Sequence, residues 1–284
     1  MGQARILVVD DDPEIHLLLK SILTETGWNI VSAYDGLEGL ARLETAAYDL
    51  VLTDVRMPGL DGLELLQRIQ KLRPSTRVVV MTAQNTPETL VRAIKDKAFT
   101  YFSKPFSTSA VIDMVGRALQ TPVVEDEIEV LSARPDWIAL RLRCTLEIAD
   151  RLTLFFRELK VELTEEEQGR IGTAFRELLM NAVEHGGRSD PEQKVEVAYI
   201  RLSQAMFYYI RDPGEGFSFE NLPHAAVSSS PDDPFRHVGV REEAGMRPGG
   251  FGIFLTRKMA DEVLYNEKGN EVLLVKYLPQ KGQS

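Results

Sequence analysis

Between Ile6 and Pro105, short apolar runs alternate with segments of helical period. The runs are ILVVD at 6–10, NIVSAY at 29–34, LVLTD at 50–54, RVVVMT at 77–82 and TYFSKP at 100–105. Between and after them, apolar positions recur at three- and four-residue spacing near 13–26, 36–46, 61–72, 87–97 and 107–119, which predicts amphipathic helices. Several runs are apolar at every position, the pattern of strands covered on both faces. Five such units predict an α/β domain over residues 1–120, a doubly wound five-stranded parallel sheet. Its functional groups belong at the carboxyl ends of the strands.

Beyond residue 120 the pattern changes. Residues 121–130, TPVVEDEIEV, carry Pro122 and four acidic side chains and read as a connector too short for a floppy tether. EIEVLSA alternates and predicts the first strand of a second domain, assigned to 131–284. Arg134, Pro135 and Asp136 are read as opening a helix that runs through Trp137 to about Leu159. Thr164, followed by Glu165, Glu166 and Glu167, is an N-cap signature. The helix it starts carries an apolar stripe at Ile171, Ala174, Phe175, Leu178, Leu179, Ala182 and Val183. Two strands, KVEVAYIRL and AMFYYIRD, follow. Residues 221–248 have no period and many Pro, Ser, Asp and Gly residues, which reads as a functional lid or a disordered insertion. A helix over IFLTRKMADEV and two strands, VLYN and EVLLVKYL, complete an α/β sandwich.

Composition narrows the class. A chain of 284 residues can bury two cores. The longest apolar runs fall far short of a membrane span, and the first residues lead into a strand without a signal-peptide pattern. The single cysteine, Cys144, cannot form an internal disulfide and reads as a small core residue. These features set the expectation of a cytoplasmic protein with no membrane partner. A net charge of −10 opposes broad contact with nucleic acid, so the expected partner is protein.

The predicted strand ends bring chemistry together. Strand one ends at Asp10 and Asp11, strand three at Asp54, strand four at Thr82 and strand five at Lys104. Three carboxylates on one edge repel one another unless a cation lies among them, which points to Mg²⁺. Phosphoryl transfer to Asp54 would use Mg²⁺ and Lys104 against the incoming oxygens and the Thr82 hydroxyl as a donor. Solvated turns explain any one of these residues, but not all five.

VVDDD, LVLTDVRMPGLDG, VVMTA and YFSKPF, in that order, make residues 1–120 resemble a two-component response-regulator receiver domain. The resemblance implies Asp54 as phosphoacceptor and as a third oxygen ligand beside the acidic Mg²⁺ pair Asp10 and Asp11. It implies that Thr82 and Lys104 read the phosphoryl group, that Tyr101 swings inward as Thr82 moves, and that the bond before Pro105 is cis. The motion would alter the face formed by residues 87–119. Lys97 departs from the pattern, which has Gly there, so the turn before strand five is expected to differ. Asp12 extends the acidic pair and has a minor role.

In FRELLMNAVEHGG at 175–187, Glu177, Asn181 and His185 stand at i, i+4 and i+8 and would project in a row. An amide oxygen suits Mg²⁺ held by phosphates, and a carboxylate one turn earlier can orient or deprotonate a nucleophile. A solvated polar stripe explains that stretch equally well by itself. Further on, Asp212 precedes PGEGF, whose glycines Gly214 and Gly216 let backbone approach a ligand, and the carboxylate can accept from an adenine amine. GGFG at 249–252 opens a helix whose free N–H groups suit phosphate.

In this order, residues 127–280 resemble the Bergerat-type ATP-binding domain shared by histidine kinases and gyrase. Within it they resemble the anti-sigma-factor serine/threonine kinases of bacterial partner switching. The likeness is carried by SARPDWIALR leading into a helix, FRELLMNAVEHG, DPGEGF and GGFGIFLTRKMADEV. It implies Asn181 as Mg²⁺ ligand, Glu177 as general base, Asp212 on adenine, and Gly214, Gly216, Gly250 and Gly252 around ATP. His185 suits a helix end and is kept as a site neighbour. Arg236, His237, Arg241 and Arg247 read as solvated lid charges, and residues 228–230 as flexible.

Together the resemblances imply a response regulator in which phosphorylation of Asp54 controls an ATP- and Mg²⁺-dependent serine/threonine protein kinase. The implied partners are an upstream histidine kinase and a protein substrate of the anti-sigma antagonist type. A sigma factor as a further partner and a homodimer as the assembly stay open. The alternative is a partner-sequestering switch that binds ATP without transferring phosphate. A histidine kinase is disfavoured, because none of the four histidines (His16, His185, His224 and His237) lies in 132–160. A DNA-binding output is disfavoured, because ATP-site motifs account for the second domain.

Overall fold

Ile6, Leu7, Val8 and Val9 are fully buried, so β1 (Arg5–Val9) is covered on both faces, as a continuous apolar run requires. In the computed structural model, which describes residues 3–83, 86–121, 128–159, 162–217 and 252–279, β1 is central to the first of two units. These units are Met1–Asp126 and Glu127–Ser284.

The first unit adds β2 (Asn29–Ala33), β3 (Leu50–Asp54), β4 (Arg77–Thr82) and β5 (Thr100–Ser103). All pairings are parallel, in the order β2-β1-β3-β4-β5. The helices are α1 (Pro13–Thr24), α2 (Gly36–Thr45), α3 (Gly62–Leu72), α4 (Pro87–Lys95) and α5 (Thr108–Gln120). Their starts are set by Asp12, Asp35, Asp61, Thr86 and Ser107, each accepting a backbone N–H of the first turn. Each such cap contributes about 1 kcal/mol. The strand order reverses between β1 and β3, which opens a crevice at their carboxyl ends. Asp10 and Asp54 lie there.

The turn before β5 keeps the shape that glycine would allow. Lys97 adopts φ 60°, in the left-handed region. The bonds Lys97 N–H to Ile94 O (3.0 Å) and Ala98 N–H to Ala93 O (2.8 Å) close the end of α4. The expected difference at this turn is therefore strain on one residue, about 1–2 kcal/mol for an L side chain in that region. The Lys104–Pro105 peptide is cis.

In the second unit, a strand replaces the first part of the predicted helix 134–159. Pro135 and Asp136 form a two-residue turn between β6 (Ile128–Arg134) and β7 (Trp137–Arg143). The reason is in the side chains: Ile138, Leu140 and Leu142 are buried while Ala139, Arg141 and Arg143 are not, a period of two. The helix α6 spans only Leu146–Arg157, capped by Thr145. α7 (Glu165–Asn181) begins at a full capping box between Thr164 and Glu167. It continues into a single π-helical turn, Ala182–Gly186.

β8 (Lys194–Arg201) and β9 (Ala205–Arg211) follow. Then come α8 (Gly252–Met259), β10 (Glu262–Tyr265) and β11 (Glu271–Tyr277). The helix predicted over IFLTRKMADEV stops at Met259, because Glu262 and Val263 pair with β11. The six strands form an antiparallel sheet in the order β10-β11-β9-β8-β7-β6. Phe156 of α6 and Phe175 of α7 pack on Tyr199 and Tyr208 of the sheet, with ring centroids 5.0–6.1 Å apart. Such ring pairs add about 0.5–1.5 kcal/mol each beyond burial. The stripe read on α7 is buried in full.

Among the described residues no helix is long and apolar enough to cross a membrane. The sequence readings on 221–248, with Arg236, His237, Arg241 and Arg247, and on Gly250 lie outside the described residues.

Candidate phosphoacceptor and nucleotide sites

β1 and β3 end beside one another, and Lys104 reaches across from the end of β5. Its Nζ is 2.7 Å from Asp10 Oδ2 and 2.6 Å from Asp54 Oδ1. Both carboxylates are buried. Asp54 Oδ2 accepts the Arg56 N–H at 2.6 Å, and Asp10 Oδ1 accepts the Asp12 N–H at 3.0 Å. Burial pushes the Asp10 carboxyl above its ordinary range, against the opposing pull of Lys104. Burial also disfavours the Lys104 cation, but its hydrogen bonds to both carboxylates outweigh that and hold the ammonium above its usual value. Gly62 has a reason to be glycine, since a Cβ there would overlap the Asp54 carbonyl oxygen.

Thr82 is buried at the end of β4, where its carbonyl accepts the Lys104 N–H at 2.7 Å. Tyr101 is fully buried. Asp11 is exposed at the turn after β1, and the Lys104 ammonium lies between Asp10 and Asp54 and offsets one of their two charges. Among the described residues, no three His, Cys, Asp or Glu side chains are grouped as a metal site. Asp10 and Asp54 nonetheless present the hard oxygens that suit Mg²⁺, an ion commonly held by one or two carboxylates and several waters.

In the second unit, Glu177 and Asn181 are half-buried on α7, one turn apart. Arg176 is fixed on Asp150 of α6 at 2.8 Å and lies 3.8 Å from Glu177 Oε1. The π turn alters the path of the chain beyond Asn181. Gly187 N–H reaches back to Ala182 O (2.8 Å), and His185 is exposed within this turn.

That turn meets the end of β9. The Asp212 carboxylate lies directly against Gly186, and its Oδ1 accepts the Gly214 N–H at 2.8 Å. Burial raises the Asp212 carboxyl, and the Gly214 bond works against it. Gly216 has φ +81°, and a Cβ there would overlap the Lys268 carbonyl oxygen. Gly252 is the first residue of α8.

Several participants are not apparent from the sequence. Asn270, in the turn between β10 and β11, donates from Nδ2 to Asp212 O (3.2 Å) and accepts the Asp212 N–H (3.0 Å). Lys268 Nζ donates to Gly214 O at 3.0 Å. Cys144 packs on Gly187, and burial, helped by Asp212 and Asp190, pushes its thiol up to about 11. The glycine and asparagines of NEKGN mark a turn. Their partner is 58 residues away and leaves no local signal.

Residues 6–116 match the family model described as response regulator receiver domain, and residues 142–276 match that of the histidine kinase-like ATPase domain. The chain is a receiver domain followed by a histidine-kinase-like ATPase domain. It is similar to the transcriptional regulatory protein ZraR of Salmonella typhimurium, 38% identical over 118 residues, covering 42% of this chain and 27% of that protein. The DNA-binding transcriptional regulator NtrC of Azospirillum brasilense is 39% identical over 121 residues, 43% of this chain and 25% of NtrC. The chain thus spans about a quarter of the length of these curated relatives. Among solved structures, a CheY-like receiver domain protein from Methanospirillum hungatei JF-1 shares 32% identity. That match covers 42% of this chain and 94% of the other, with a TM-score of 0.41. The Asp10–Lys104–Asp54 cluster falls to the receiver domain, and Glu177, Asn181, Gly186 and Asp212 to the ATPase-like domain.

Proposed function

We propose that the chain is a response regulator in which phosphorylation of Asp54 governs an ATP-binding output acting as a serine/threonine protein kinase of the anti-sigma type. The observation that carries this reading is the pairing, in one chain, of the Asp10–Lys104–Asp54 cluster with a Glu177–Asn181 helix that ends against Asp212. In the first, Asp54 is the acceptor, Asp10 and Asp54 would hold Mg²⁺, which would supply positive charge beside the incoming phosphoryl oxygens, and Lys104 and Thr82 engage those oxygens. In the second, Asp212 takes the adenine amine, and Gly214, Gly216, Gly250 and Gly252 border the nucleotide. Asn181 would hold a Mg²⁺ that supplies positive charge to the nucleotide phosphates, and Glu177 accepts the substrate hydroxyl proton.

An upstream histidine kinase supplies the phosphoryl group, and the substrate is a small antagonist protein. NtrC is named as DNA-binding. The chain spans a quarter of that protein and its charge of −10 opposes a phosphate backbone, so a protein is the proposed partner here.

The test is transfer of label from ATP, with Mg²⁺, to candidate antagonist proteins by wild type and Glu177→Ala. Serine or threonine label on the partner, lost in the variant while the partner still binds, supports the kinase. Tight ATP binding without label would leave a nucleotide-dependent binding switch instead.

A further inference from the structure

His16 lies on α1, is buried, and is directed at Asp10 at the end of β1. Its Nε2 is 2.8 Å from the Asp10 carbonyl oxygen. A carbonyl only accepts, so Nε2 carries the hydrogen. The ring packs on Tyr34 at a centroid distance of 4.4 Å. The other ring nitrogen, Nδ1, is buried and has no hydrogen-bond partner among the described residues. Buried polar groups are usually paired, and an unpaired one opposes folding. An apolar residue would fill the same place without that penalty. What it would not supply is the bond to Asp10.

Each polar atom of Asp10 has a partner. Its N–H donates to Ala33 O at 3.2 Å, and its carbonyl accepts from His16. Oδ1 accepts from Asp12 N–H, and Oδ2 receives Lys104 Nζ. Ala33 ties the residue to β2 and His16 ties it to α1, so the backbone is held from two elements. Oδ1 is held on the Asp12 N–H and Oδ2 on Lys104, which Asp54 shares, so where these bonds place the carboxylate depends on how the backbone of Asp10 is held.

We infer that His16 is a positioning residue for the phosphoacceptor pocket: its Nε2–H bond to the Asp10 carbonyl aims the Asp10 carboxylate at the cation that accompanies the phosphoryl group. The inference rests on the reading of Asp54 as phosphoacceptor with Mg²⁺ beside it. Partners that orient a ligand from behind commonly set metal affinity by 10–100-fold.

The experiment uses the full chain and Mg²⁺ alone. Calorimetry measures Mg²⁺ affinity for wild type, His16→Leu and His16→Gln, since Gln keeps an N–H donor near Nε2. Intact mass then follows uptake of phosphate from acetyl phosphate across an Mg²⁺ series, with Asp54→Asn as control. The expected result is Mg²⁺ binding weaker by about tenfold in His16→Leu and within about twofold of wild type in His16→Gln. The Mg²⁺ needed for half-maximal phosphorylation shifts in parallel, and saturating Mg²⁺ restores the yield. Wild-type affinity in a folded His16→Leu overturns the inference. So does His16→Gln binding about tenfold more weakly, which decides the matter even where His16→Leu does not fold. Phosphate uptake that persists in Asp54→Asn removes the underlying reading, by a result that no His16 variant produces.

Discussion

Gly186 and Asp212 are packed so closely that a Cβ on the first would overlap Cγ and Oδ1 of the second. The π turn brings Gly186 to this place, and the Gly214 N–H fixes the carboxylate there. Gly186→Ala therefore displaces the group proposed to take the adenine amine while leaving every other site residue intact. Losing a hydrogen bond to a charged group costs about 1.5–3 kcal/mol, so nucleotide affinity should fall by about tenfold to hundredfold. Calorimetric titration with ADP checks this. Unchanged affinity in a folded variant would remove Asp212 from the nucleotide site.

Cys144 lies under the same turn, and its thiol is fully buried and pushed up to about 11. A thiol is reactive as thiolate, so at pH 7–8 the folded chain should resist a disulfide reagent and react only on unfolding. The reagent's colour, followed with and without urea, measures this. Rapid stoichiometric reaction of the native chain would contradict the packing of Cys144 against Gly187.

Lys97 carries the strain of the left-handed turn before β5. Gly adopts φ 60° freely but has more backbone freedom to lose on folding. The relief of about 1–2 kcal/mol exceeds the added entropy of about 0.5–1 kcal/mol, so Lys97→Gly should stabilise the receiver domain by about 0.5–1 kcal/mol. Lys97→Val, branched at Cβ, should destabilise it. Urea denaturation of the three chains gives the order directly.

The receiver domain is legible because its signals are local and agree. Continuous apolar runs mark β1, β3 and β4, and Asp12, Asp35, Asp61, Thr86 and Ser107 mark the helix starts. Trp137 to Arg143 reads as helix because RPD resembles a helix opening, although the period of two in IALRLR is present. The contacts of Asp212 with Gly186 and Asn270 join distant segments, so no local pattern announces them.

The capping box gives the second domain an acid sensitivity with a definite sign. Glu167 is held below its ordinary value of 4.5 by the Thr164 backbone N–H first, and then by Lys276 and the Thr164 hydroxyl. A carboxylate with a lowered folded-state pKa stabilises above its unfolded value, and that contribution is lost as pH falls through the lowered one. Denaturation midpoints should therefore hold from neutral pH to about 5 and then drop, with a smaller drop in Glu167→Gln. Thr164→Ala should cost about 1 kcal/mol at pH 7. Equal acid sensitivity of wild type and Glu167→Gln would show that other carboxylates govern the range.

Lys104 is the counter-charge for Asp10 and Asp54, and its replacement by Met exposes what the lysine balances. Without it, Asp10 loses the partner that opposes its burial, and burial first and then the neighbouring Asp54 charge hold its folded-state value above the unfolded one. The folded chain then binds more protons there than the unfolded chain, so this contribution is most favourable at acid pH and is lost as pH rises through the raised value. Removing one partner of a buried pair costs up to about 3–5 kcal/mol. Lys104→Met should therefore lose most stability near pH 8 and least near pH 5. Mg²⁺ supplies the missing positive charge and should raise the melting temperature of the variant more than that of wild type, with a chelator reversing the gain. Calorimetric scans at both pH values, with and without Mg²⁺, test both parts. A variant less stable at pH 5 than at pH 8, or one that Mg²⁺ leaves unmoved, would mean that Asp10 and Asp54 do not form one electrostatic site.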